Sequence, residues 1–175
     1  MCSWGRSHAD LWGTRRGSLQ GMSDPTIDAA RDVLAESLDK IRRGIAGLTV
    51  DQLNAKPAGG ETNSVAVIAT HALASTRSYM SIAVGAPPPP RDRPAEFRTV
   101  AADGFGGWVE DMIGQCLGLL DGVTFDPSIE GVRTWTQGLA DDPVTASWAL
   151  LQATSHLGEH VGHLHMTLEL LRPAD

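Results

Sequence analysis

Between Pro25 and Leu48 apolar side chains return every three or four residues, at Ile27, Ala30, Leu34, Leu38, Ile41, Ile45 and Leu48. At about 100° per residue this spacing draws one apolar stripe along a helix of about six turns, which has to be buried against other elements. Asp24 supplies a cap for it and Pro25 suits the first turn. The opposite face carries Arg31, Asp32, Glu36, Asp39, Lys40, Arg42 and Arg43, a solvated surface.

Three more segments show helical spacing. A turn segment, "TVDQLNAKPAGGET", leads to Asn63 as cap of a second helix, "SVAVIATHALASTRSYMSIAV", with Gly85 as its terminator. "GAPPPPRDRPAEFRT" cannot be helical through its prolines and is predicted to be a stiff, extended crossover. A third helix falls on "DGFGGWVEDMIGQCLGLLDGV", with apolar residues at Trp108, Met112, Ile113, Cys116, Leu119 and Leu120. It holds five glycines between 104 and 118, so packing must support it, and those glycines serve either close backbone approach or room for a ligand. Asp142 and Pro143 open a fourth helix that runs to about Leu171, before Pro173. No segment alternates like a strand. The fold class that follows is all-α, a four-helix bundle with long crossover connections.

At 175 residues with 42% hydrophobic content, the chain suits one domain with a real core. Residues 1–22 have no period and read as a disordered extension, with Met22 an alternative start, and residues 23–175 read as the single domain. A net charge of -7 without a basic stripe argues against nucleic acid as partner. The sequence has no run of 18 apolar residues and no apolar leader core, so neither a membrane span nor a signal peptide is expected, and a cytoplasmic location follows by default. Cys2 lies in the head and Cys116 in an apolar helical pattern, where a buried free thiol is the usual occupant. Trp108, Trp135 and Trp148 read as core or loop anchors.

"SHLGEHVGHLHM" holds four of the six histidines. On a helical wheel with His156 at zero, His160 falls near about 40°, His163 near about -20° and His165 near about 180°. His156 and His160, four apart, have Cβ atoms about 6 Å from one another, close enough for two imidazoles to share a cation. Two ligands make a weak site. Outside this helix and the head, the only further histidine is His71 in the second helix, among small residues on its face. If those helices pack side by side, three neutral imidazoles converge and leave a coordination position open. The plainer alternative is a set of core and surface histidines with no ion.

Three stretches, "LTVDQLNAKPAGGETNSVAVIATHAL", "RDRPAEFRT" and "SWALLQATSHLGEHVGHLHMTLELL", resemble the DinB/YfiT-like family of metal-dependent four-helix proteins, over about residues 26–171. The resemblance implies an up-down-down-up bundle with His71, His156 and His160 as the three metal ligands and Gly162 as the small residue after them. Where the family often has Gln, this chain has His163, a candidate catalytic residue or further ligand. Members with known activity are similar to S-transferases and isomerases that use low-molecular-weight thiols such as mycothiol. The resemblance therefore implies a divalent metal (Zn, Ni, Fe or Mn), a small-molecule thiol and an electrophile as partners, and a homodimer. Metal-dependent hydrolysis, or a non-catalytic metal-binding or dimerisation module, are the alternatives.

"HLGEH" also matches the H-x-x-E-H string of one metalloprotease class, which would make Glu159 a base, but only Glu169 and Asp175 follow as acidic ligands. Arg91 and Arg93 are candidates for attracting an acidic cosubstrate, set against local pairing with Asp92 and Glu96.

Overall fold

The stripe that begins at Ile27 is the inner face of α1 (Pro25–Ile45) in a computed structural model describing residues 24–57, 61–121, 123, 125–133 and 142–172. Ile27, Ala30, Leu34, Leu38, Ile41 and Ile45 are buried, and Leu48 packs beside them just beyond the helix end. Asp24 caps the helix by accepting from the Thr26 amide at 2.7 Å, with Pro25 in the first turn. The expected extension at residues 1–22, with His8, Cys2 and Met22, lies outside the described residues, as does Trp135.

A short helix, α2 (Val50–Asn54), replaces part of the expected turn, because Thr49 and Gln52 form a reciprocal capping box. The second long helix is α3 (Val65–Ala83), and its cap is Ser64 rather than Asn63: the Ser64 hydroxyl accepts from the Val67 amide. Gly85 ends it as expected. With φ at +70°, Gly85 lets its own amide reach the Ile82 carbonyl while the Ala86 amide reaches Ser81, a Schellman arrangement.

The crossover is not extended throughout. Arg93–Glu96 form one helical turn, α4, which Pro94 tolerates because a first-turn residue needs no amide donor. Asp92 caps it by accepting from the Ala95 amide at 2.9 Å. Farther on, Asn54 clamps the chain, donating to the Ala101 carbonyl at 2.9 Å and accepting from the Ala101 amide at 2.7 Å.

The third long helix, α5 (Phe105–Gly118), buries Val109, Met112, Ile113 and Cys116. A Cβ on Gly106, Gly107, Gly114 or Gly118 would meet nothing within 4 Å, so these glycines do not serve close backbone approach. A two-stranded antiparallel hairpin, β1 (Glu130–Arg133) with β2 (Asp142–Thr145), forms where the sequence showed no strong strand-like alternation. Asp142 and Pro143 belong to β2, and Thr145 caps the last helix, α6 (Ala146–Leu170), by accepting from the Trp148 amide. Gly131 is needed where β1 crosses α3, since a Cβ there would lie 2.5 Å from Ile82 Cγ2.

Five contacts fix the helix directions. Arg31 pairs with Asp121 and Arg42 with Glu110, so α1 and α5 run antiparallel. His71 meets His160 while Tyr79 meets Trp148, so α3 and α6 run antiparallel. Gly44 packs on Leu164 near the ends of α1 and α6, which are therefore parallel. The long helices run up, down, down, up, with α1 and α3 at opposite corners and α6 filling the seam beside both. The structure is an all-α bundle carrying one small hairpin. Among the described residues no helix is long and apolar enough to cross a membrane.

Candidate metal centre

The antiparallel packing of α3 on α6 brings His71 to the level of His156 and His160. One ligand atom from each of the three lies within 4.8 Å of the others. Ring centroids are 5.4 Å apart for His71 and His156, 4.9 Å for His71 and His160, and 4.4 Å for His156 and His160. The Nε2 atoms of His156 and His160 stand 3.2 Å apart. Two nitrogens on one tetrahedral zinc, at about 2.0–2.1 Å each, would sit about 3.3–3.4 Å apart, so the pair is spaced for a shared ion. A hydrogen bond between two neutral rings would have a similar length, and what distinguishes the cluster is the third imidazole facing the same point.

His71 is buried, and its orientation is fixed from behind. Its Nδ1 is 2.7 Å from Glu96 Oε2, which leaves Nε2 to face the α6 pair. The Phe97 ring covers it at 4.6 Å. Glu96 is itself buried, and Arg91 grips both of its oxygens, Nε to Oε1 at 2.9 Å and Nη2 to Oε2 at 2.8 Å. Burial alone would raise the Glu96 pKa, but the hydrogen bonds from His71 and Arg91 and the Arg91 charge outweigh it and hold the carboxyl below its ordinary value.

Burial lowers the pKa of His156, assisted by the nearby His71, Arg91 and Arg93 and opposed by Glu159. Burial, then the neighbouring His156, His71 and His163, pushes His160 down to about 3. Both rings are thus neutral near pH 7 and keep the lone pairs that ligation requires. His160 Nδ1 is buried without a hydrogen-bond partner, so the protein alone leaves this ring incompletely satisfied. The donor set therefore fits a divalent ion of the imidazole-binding kind.

Two rings of the cluster, His71 and His160, face a cleft of about 290 Å³. His71 and His160 line its base; Val67, Ile68, Phe97 and Met166 give it apolar walls; Glu61, Asn63 and His163 stand among its polar residues. His163, read from sequence as a catalytic candidate, is exposed, lines this cleft and has its ring 5.5 Å from that of His160. Glu159 does not line it: its side chain is 66% exposed and lies 3.9 Å from His156 Nδ1, behind the ring. Arg91 and Arg93 do not line it either, since Arg91 is committed to Glu96 and Arg93 sits over Phe97 at 5.0 Å. His165 faces away, into a larger concavity of about 670 Å³ between α1 and α6 that shares no residue with the cluster. Two of the cations there, Lys40 and Arg43, are already paired with Glu36 and Asp39.

Sequence reasoning missed Glu96 as part of the site. Its signal was a carboxylate flanked by Arg93 and Phe97 in an otherwise proline-rich segment, but nothing in that string points to a histidine 25 residues earlier.

Residues 23–164 match the family model described as the DinB superfamily. A crystal structure of a conserved protein from Enterococcus faecalis shares the fold, with a TM-score of 0.62 at 17% sequence identity; the alignment covers 85% of this chain and 98% of that one. No curated protein sequence matches the chain significantly.

Proposed function

The chain belongs to the DinB superfamily, and on that footing we propose that His71, His156 and His160 hold one divalent metal ion with which the protein transfers a low-molecular-weight thiol, as an S-transferase or isomerase. The observation that carries the reading is the convergence of three imidazoles, from two helices, beside an open cleft that two of them line. A divalent ion there supplies positive charge that three neutral ligands leave uncompensated, which lowers the pKa of a thiol at neutral pH.

The remaining roles fall to the chain itself. Val67, Ile68, Phe97 and Met166 give the cleft apolar surface that suits an apolar electrophile. Asn63 and Glu61 offer hydrogen-bonding groups at the mouth for the polar body of a thiol cosubstrate such as mycothiol. His163 lines the same space and would take the thiol proton in this reading. Hydrolysis draws less support, because Glu159, the base that the H-x-x-E-H string would supply, is behind His156 rather than in the cleft.

Elemental analysis of the wild type beside His71→Ala, His156→Ala and His160→Ala, followed by thiol-conjugation assays, tests the proposal. One equivalent of metal in the wild type, lost in each variant, is the expected result. A wild type without stoichiometric metal after metal-replete expression would return the histidines to the role of a hydrogen-bonded core.

A further inference from the structure

Glu96 is 7% exposed, and both of its oxygens are filled: Oε1 accepts from Arg91 Nε at 2.9 Å, and Oε2 accepts from Arg91 Nη2 at 2.8 Å and meets His71 Nδ1 at 2.7 Å. A carboxylate is buried only when its charge is paired and its lone pairs are used, so this placement calls for a reason. Fixing the crossover is not sufficient reason. Asp92 already caps α4, and Asn54 already clamps Ala101 from both sides. What neither of those contacts does is reach a histidine.

His71 is also the ligand whose direction α6 cannot set. His156 and His160 are ordered relative to each other by one helix, with no comparable partner behind them: His160 Nδ1 has none, and Glu159 stands 3.9 Å from His156 Nδ1 in solvent. The third ring comes from a different helix and must be aimed separately. Two parallel N–H···O bonds from a guanidinium fix the plane of a carboxylate, and a carboxylate accepting at Nδ1 fixes both the rotation and the tautomer of an imidazole.

We propose that Arg91 and Glu96 form a positioning relay that locks His71 as the Nδ1–H tautomer and turns its Nε2 lone pair toward the point shared with His156 and His160. The relay rests on the metal-binding reading of the cluster given above. Arg91 and Glu96 touch neither the ion nor the substrate; they act through His71, and what they set is affinity and geometry at the metal.

Cobalt(II) binding to the full chain tests it, comparing wild type, Glu96→Gln and Glu96→Ala by competition titration and visible absorption. A long-range ¹H–¹⁵N spectrum of the metal-free proteins reads the His71 tautomer. The relay predicts Nδ1–H for His71 in the wild type, mixed tautomers in Glu96→Ala, and a loss of cobalt affinity of about 10–100-fold with a changed absorption envelope. Glu96→Gln keeps an acceptor oxygen and loses the charge, so part of the affinity returns while several-fold remains missing. Far-UV circular dichroism of the metal-free variants identifies any that fail to fold, and if Glu96→Ala is one of them the Gln variant carries the comparison. Wild-type affinity, spectrum and tautomer in the folded variants would overturn the relay and leave the metal centre standing. A wild type that binds no cobalt would remove the metal centre and the relay together.

Discussion

Two seams of the bundle each bury a titratable side chain, and the same physics gives them opposite uses. At the α3–α6 seam, burial pushes His160 down to about 3; at the α3–α5 seam, burial pushes the Cys116 thiol up to about 12, only slightly eased by Arg77. Low dielectric favours the neutral form in both places. A neutral imidazole keeps its lone pair and is a ready ligand, whereas a neutral thiol has lost its nucleophile. Cys116, 3.9 Å from the Leu73 carbonyl and fully enclosed, plugs one seam, while the histidines open the other to a cleft.

The largest effect expected from this contrast is on metal binding. His160 stands closest to both partners, and a structural zinc is worth about 10–16 kcal/mol over its ligands, so His160→Ala should weaken zinc affinity by at least about 100-fold in a competition titration. Cys116→Ala should leave that affinity unchanged and cost about 1 kcal/mol in urea unfolding, the loss of one small buried group. If Cys116→Ala also released the metal, the two seams would not be separate.

The pH dependence of Cys116 sharpens the same point. Its folded pKa is pushed up to about 12 by burial, above the ordinary thiol value of 9.0. The unfolded chain therefore ionises first, and the stability from burying the thiol is full below about pH 9 and falls as pH rises from there toward 12. Cys116→Ala should lack that component of the slope. Native protein at pH 8 should resist alkylation at Cys116 in site-resolved mass spectrometry and become reactive in urea.

Smaller effects follow. The α5 wall carries Gly114 with open space where a Cβ would be, so Gly114→Ala should stabilise the fold by up to about 1 kcal/mol without touching metal affinity. Glu159→Ala should change zinc affinity by less than about two-fold, since that carboxylate is in solvent and not hydrogen-bonded to His156. An effect there as large as that of Glu96→Ala would mean that both helices aim their ligands by the same device.

How far the sequence reveals this molecule depends on the range of the interaction that decides each feature. The α1 stripe was legible because period, cap and first-turn proline are all local, and every residue it names within the helix is buried. Ser64 and Asn63 are both good caps, so the α3 boundary was set by which hydroxyl or amide reached an amide three residues on. The hairpin was illegible because its strands are four residues each, one containing Pro143, and β1 passes close against Ile82 of another element at Gly131. His156 and His160 could be paired from their spacing, and His71 was available by elimination. The Arg91–Glu96 pairing was readable as a local one, but its third member, His71, comes from another element, and only the folded crossover joins them.

X-ray absorption on the zinc-loaded protein tests the central claim most directly. Three imidazole nitrogens at about 2.0–2.1 Å are predicted, falling to two in His71→Ala. A first shell with fewer than three imidazoles in the wild type, or with sulfur at about 2.3 Å, would contradict it.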